Sequence, residues 1–259
     1  MTDERRDHLQ TLERGLEVIG VFTGRGPLLS PAEISELTGL SKPIVRRIVL
    51  TLERLGYARN HEGHFALTPK VLELGYAYLS SVRLSDIARP PMERLTDTTG
   101  VGTSLAALDG DEIVYIDRVQ RGRVASVSLA AGARLPAHAT AIGHVLLAHS
   151  RPSEVEAVID GRTLPALTEQ TLTQPAHLRE RFAIVRERGW AVVDQELEIG
   201  RRSAAAPVFD NDGRAIAALA LSCGTMEWSV DRIVDELVPL LVGAAGQITA
   251  ALGAGRREN

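Results

Sequence analysis

The chain has 259 residues, a formal charge of -4 and 44% hydrophobic content, enough for one large or two ordinary cores and not the composition of a polybasic or disordered protein. Aromatic residues at 4% exclude rows of stacked rings for single-stranded nucleic acid, and the single cysteine, Cys223, excludes an internal disulfide and a cysteine-based zinc knuckle. The polar start MTDERRDHLQ and the lack of an apolar run near about 20 residues predict a soluble protein of the reducing cytoplasm with no membrane partner.

The first element is a helical stripe of Leu9, Leu12, Leu16, Ile19 and Phe22, ending at Gly24. It packs under the next two helices or pairs with a partner chain. Ser30-Pro31-Ala32-Glu33 is a capping box with proline at the first helical position, so a short helix starts there and stops at Gly39. Ser41 caps a second helix. In it Val45, Ile48, Val49, Leu52 and Leu55 make one apolar stripe, while Arg47 and Arg54 fall opposite with Pro43, Arg46 and Leu50 beside them. After Gly56, Tyr57 to Asn60, the turn His61-Glu62-Gly63 and His64 to Thr68 read as a hairpin. Helix, tight turn, basic helix and hairpin are the order of a winged helix-turn-helix, whose recognition helix enters the major groove of duplex DNA. Residues 1–75 hold ten acidic and ten basic residues, so any DNA contact depends on where the arginines are placed.

Residues 70–81 are predicted as a linker helix, and Ser85 to Thr99 as a helix interrupted at Pro90-Pro91, with a domain boundary near residue 80. Thr103 to Leu108 and Ile113 to Val119 read as a hairpin, and Arg123 to Leu129 as a third strand. Helices follow at Ala139 to Ala148 and Ala176 to Arg188, then a hairpin turning at Asn211-Asp212-Gly213 and a long helix from Ser229. The order β-β-β-α-α-β-β-β-α is that of a mixed α/β (α+β) sensor fold and not of a Rossmann domain. The expected division is 1–69 DNA-binding domain, 70–82 linker, 83–252 second domain and 253–259 polar tail.

Two stretches of the second domain carry possible small-molecule chemistry. In Gly132 to Gly143, Leu135-Pro136 ends an extended run and Ala139 or Thr140 begins a helix whose free amides belong to Ala141 and Ile142, a place for a carboxylate. In Asp194 to Asp210 a polar loop enters three successive alanines. Ser203, with Ser222 and Cys223 on a neighbouring strand, either floors a pocket there or packs tightly under a helix. Catalytic signals are missing: no G-x-S-x-G elbow, Gly100-Val101-Gly102 without a third glycine, and His61-Glu62-Gly63-His64 without zincin spacing. His138, His144 and His149 read as packed polar groups and Cys223 as inert packing, so no catalytic residue, metal or cofactor is expected. Besides an effector-controlled regulator, the chain fits a constitutive DNA binder whose second domain oligomerises, or an enzyme with a DNA-binding appendage.

The strings LERGLEVIGVFTG, SPAEISELTGLSKPIVRRIVLTLERLGY, GARLPAHATAIGHVLLA and RERGWAVVDQELEIGRRSAAAPVFD resemble, in order and spacing, the IclR family of bacterial transcriptional regulators. VRRIVLTLERLGY and DQELEIG look most like its Pca/Pob branch, which governs aromatic-acid catabolism. The resemblance implies a winged helix, a linker helix and a GAF-like effector domain, assembled as a homodimer or dimer of dimers on a palindromic operator. It places Ser41, Lys42, Pro43, Arg46 and Arg47 at the start of the recognition helix, with Ile44 in place of a frequent threonine; Arg59 on the wing completes the expected DNA contacts. In the effector domain it implies Leu135, His138, Thr140, Ala141, Ile142, Ser203 and Ser222 around a small organic acid. Where relatives that bind glyoxylate-like acids have an aspartate and a serine, this chain has Val193 and Ala220, which predicts a less polar, roomier pocket for an aromatic carboxylate or a β-ketoadipate-pathway intermediate.

Overall fold

A computed structural model describes residues 9–22, 28–72, 74, 84–120, 131–160 and 163–254. They fall into two compact units, divided after residue 82.

In the first unit, α1 (Gln10–Gly20), α2 (Pro31–Thr38) and α3 (Lys42–Arg54) are followed by β1 (Ala58–His61) and β2 (His64–Leu67). The capping box forms as its sequence dictates: Ser30 N donates to Glu33 Oε2 at 2.8 Å and Glu33 N to Ser30 Oγ at 3.3 Å. Gly39, at φ 71°, takes the left-handed conformation that ends α2 and lets α3 start three residues later. Ser41 stands at the N-cap of α3 but its hydroxyl bonds no helix amide, so proline in the first turn, and not a side-chain cap, marks that start. Val18, Ile34, Val45, Val49, Leu52 and Phe65 form the core. In the hairpin Glu62 and Gly63 both have positive φ, which matches the twist of a two-residue connection, and Asn60 Oδ1 accepts from Gly63 N at 2.9 Å. Leu29 bridges Phe65 through two backbone hydrogen bonds and ties the wing to the helices.

Two expected stripes differ from those that fold. Val18 is the buried residue of α1, while Leu9, Leu12 and Leu16 are 72%, 60% and 55% exposed. Leu55, expected inside, is half exposed because α3 ends at Arg54 and the chain turns away there.

The second unit begins with α4 (Leu84–Thr99), which runs through Pro90 and Pro91 without the predicted interruption. Each proline removes one helix hydrogen bond, but the burial of Leu84, Ala88, Met92 and Leu95 on one face holds both halves to the same core. The antiparallel sheet contains β3 (Gly102–Asp109), β4 (Glu112–Val119), β5 (Arg134–Pro136), β6 (Ala191–Asp194), β7 (Arg201–Phe209) and β8 (Ala215–Gly224), in the order β5-β4-β3-β8-β7-β6. The strand expected at Arg123 to Leu129 and most of the expected linker helix lie outside the described residues. Arg134–Pro136 pairs with β4 as the third strand of its half. Between β5 and β6 come α5 (Ala141–His149), α6 (Pro152–Ile159) and α7 (Pro175–Arg188). The sequence pattern missed α6, a helix of eight residues with three buried positions.

Helices cover both faces of the sheet. α5 packs on one, beneath α7, and α4 packs with the last helix, α8 (Val238–Ala254), on the other. Within Val230–Gly253 an 18-residue stretch has a mean hydropathy of 1.4, so by length and composition this helix could cross a membrane, although Asp231, Arg232, Asp235, Glu236 and Gln247 interrupt its apolar run. Its Ile233, Leu237, Leu241 and Ile248 are buried, while Asp231, Arg232, Asp235 and Glu236 are not, the pattern of a helix against a core.

Candidate functional site

The outer face of α3 is the first site. Ser41, Lys42, Pro43, Arg46, Arg47 and Arg54 stand on it with Arg59 on β1, and none of them is buried. Among the described residues none of these cations has an acidic partner, whereas Arg89, Arg134, Arg179 and Arg202 of the second unit all do. A face of unpaired guanidiniums on a helix anchored by Val45, Val49 and Leu52 is ready to meet an array of phosphates.

The second site is a cavity of about 320 Å³ on the α5 side of the sheet. Register explains its floor. Val193 pairs with Ser203, Ser203 with Ser222 and Ser222 with Gly102; two residues along, Ala205, Ala220, Ser104 and Arg118 pair across the same strands. Side chains two apart share a face, so these residues point to one side. Ser203 Oγ donates to Ser222 Oγ at 3.2 Å.

The roof is the start of α5. Thr140 caps it by accepting from Gly143 N at 3.0 Å, and His144 N bonds the Thr140 carbonyl at 2.9 Å. Of the first four amides this leaves Ala141 and Ile142 without an acceptor among the described residues, and both residues line the cavity. Aligned peptide dipoles make that end of the helix partly positive. A carboxylate there gains two amide hydrogen bonds, with hydroxyls and small apolar side chains beneath it.

Close packing sets the position of this helix start. A Cβ on Gly143 would collide with the Ala137 carbonyl, so only glycine lets α5 sit on the turn before it. His144, fully buried, donates Nε2 to the His138 carbonyl at 2.6 Å and meets the Phe182 ring edge-on at 5.6 Å. Burial pushes its imidazole down to about 4, so it is neutral at pH 7.

Thr140, Ala141, Ile142, Val193, Ser203, Ala220 and Ser222 therefore meet at one cavity. Leu135 and His138 do not line it: Leu135 packs at the edge of the core, and His138 Nε2 pairs with the Pro165 carbonyl at 3.0 Å. Cys223 lines it with its thiol pushed up to about 11 by burial, which keeps the sulfur protonated and unreactive. Sequence reasoning missed Ser104, Tyr115, Arg118, Gln120, Glu196 and Arg201 on the same walls. The Gln120 amide, with its oxygen turned toward Arg118, accepts from Nη2 at 2.8 Å. Burial raises the Tyr115 phenol and holds Glu196 above the usual carboxylate range despite its bond from Arg181 Nη1 at 3.2 Å. Period-two alternation across β3 and β4 is the one signal that could have placed Ser104 and Tyr115 on this face.

Comparison with known proteins agrees with this architecture. The model of the IclR helix-turn-helix domain matches residues 11–62, and that of the bacterial transcriptional regulator IclR C-terminal domain matches residues 76–250. The chain is 39% identical over 240 residues to the Pca regulon regulatory protein of Pseudomonas putida, covering 92% of this chain and 82% of that protein. It is 32% identical to the p-hydroxybenzoate hydroxylase transcriptional activator of Acinetobacter baylyi, covering 93% and 91%. A crystal structure of an IclR homolog from Microbacterium hydrocarbonoxydans complexed with 4-hydroxybenzoate superimposes with a TM-score of 0.84 at 27% identity, over 94% of this chain and 99% of that one. Fold and site thus define a helix-turn-helix transcriptional regulator with a separate effector domain, and not an enzyme. The chain belongs to the IclR family, on the side of its Pca and Pob regulators.

Proposed function

We propose that this regulator binds a palindromic duplex operator as a homodimer, or dimer of dimers, in the bacterial cytoplasm and senses an aromatic carboxylate in the cavity under α5. The carrying observation is the pair of free amides at Ala141 and Ile142 above a floor that Val193 and Ala220 keep weakly polar. A ring lies on Val193 and Ala220 while its carboxylate takes the amides, with Ser203 and Ser222 in reach of remaining polar atoms. At about 320 Å³ the cavity falls at the small end of the usual range of roughly 300 to 1,000 Å³, which suits a single-ring acid.

Ser41, Lys42, Pro43, Arg46 and Arg47 meet the major groove, and Arg59 on the wing meets the backbone. Pairing of protomers is supported by the exposed face of α1, where Leu9, Leu12 and Leu16 border an apolar groove with Leu55 and Leu74. A palindrome needs two recognition helices related by twofold symmetry, and a leucine face of this kind supplies a self-complementary contact.

A thermal-shift screen of aromatic and aliphatic acids tests the effector half. An acid at 100 times its dissociation constant should add about 2.7 kcal/mol of stability, with single-ring carboxylates ahead of glyoxylate. Stabilisation by glyoxylate alone, or by none of the acids, contradicts the aromatic assignment.

A further inference from the structure

α1 and α3 enclose a second, smaller cavity of about 220 Å³, lined by Thr11, Arg14 and Gly15 on one side and by Ile44, Arg47 and Ile48 on the other. No acidic residue lines it, and neither guanidinium has a carboxylate partner among the described residues. Among the described residues the Thr11 hydroxyl makes no hydrogen bond either. Two like charges beside an apolar wall repel each other and lack a counter-charge, an arrangement that an anion relieves. At about 100° per residue Arg47 lies only about 20° from Arg54 around α3, so this cavity borders the exposed basic face. Arg14, half-buried on α1, brings a cation from a second helix to that border.

We infer that Arg14, together with Arg47, holds a backbone phosphate of duplex DNA, which makes α1 part of the DNA interface. Two planar guanidinium forks match the oxygens of a phosphodiester, and the Thr11 hydroxyl offers a third donor. Ile44 contributes no polar atom, so the arginines carry the contact. The inference rests on the DNA-binding reading of the first unit and adds to it a contact that sets register and carries no sequence information.

The test measures binding of the full-length protein to its own upstream DNA and to an unrelated duplex between 50 and 200 mM salt. Arg14→Gln should lower the slope of log affinity against log salt by about 0.9 for each protomer bound. Across that fourfold range the wild type then loses about 3.5-fold more affinity per protomer than the variant. The preference for operator over unrelated duplex should not change, and Arg14→Lys, which keeps a point charge, should hold the wild-type slope. An unchanged slope in Arg14→Gln overturns the inference. So does a changed sequence preference, or a change in the mass of the assembly by sedimentation, which would place Arg14 between protomers. Wild-type protein that binds neither duplex would instead sink the DNA-binding reading on which the inference rests.

Discussion

The basic face of α3 and the cavity under α5 handle polar groups in opposite ways. On α3 the arginines stand exposed and, among the described residues, without acidic partners, the arrangement that suits a polyanion large enough to supply many counter-charges at once. Under α5 two free amides and the Ser203 and Ser222 hydroxyls share the cavity with Ser104, Tyr115, Arg118, Gln120, Glu196 and Arg201, positioned by strand register and helix packing. One surface loses affinity in increments, since each cation adds its own contact. The other depends on a helix start fixed by contacts such as Gly143 on Ala137, where a single methyl group has no room.

The largest effect is therefore expected in the cavity. Gly143→Val should cost about 3 kcal/mol of stability by overpacking and also abolish effector binding, measured by denaturant titration and calorimetry. Retention of effector affinity would break the link between helix position and the site. Next, His144 binds its proton less readily folded than unfolded, from 6.5 down to about 4. The unfolded state thus holds more protons in that window, and stability falls as pH drops from about 6.5 to 4, by roughly 3 kcal/mol from this residue alone. The pH dependence of denaturant midpoints, compared with His144→Gln, isolates the contribution, and identical slopes would contradict the buried neutral assignment.

On the DNA side, Arg47→Ala should weaken binding to operator and unrelated duplex alike by about 1.5 to 3 kcal/mol, the worth of a hydrogen bond to a charged group, read by a gel shift on both duplexes. A relaxed preference at one base position would instead place its guanidinium on a base edge. The smallest effect is expected at Arg59: its loss should lower the salt slope by about 1 and leave sequence preference untouched.

The DNA-binding unit was nearly legible from the sequence because its signals are local. The Ser30 to Glu33 capping box, Gly39 and the turn before Gly63 each act within about four residues, and all three form as written. The failures there depended on neighbours: the side of α1 that Val18 turns inward, and Leu55 beyond the end of α3. In the effector unit the amides of Ala141 and Ile142 were legible from the helix start, while for Ser203 and Ser222 the strand pattern left a pocket floor and tight packing equally open and the family resemblance pointed to the pocket. Ser104, Tyr115 and Arg118 were not, because they reach the cavity through antiparallel pairing of strands, some more than 80 residues apart, with an irregular register in β3 at Leu105/Ala106. α4 was misread for a related reason: two adjacent prolines are a strong local stop, yet burial along one face carried the helix through.

The central claim is that occupation of the cavity under α5 changes what α3 does. Operator affinity, measured with and without a saturating single-ring aromatic carboxylate such as 4-hydroxybenzoate, tests it most directly. A coupling of about 1 to 3 kcal/mol, or roughly 5- to 150-fold in affinity, is predicted, and Gly143→Val should abolish it. Operator affinity that is identical at every acid concentration, in a protein shown by calorimetry to bind the acid, would contradict it.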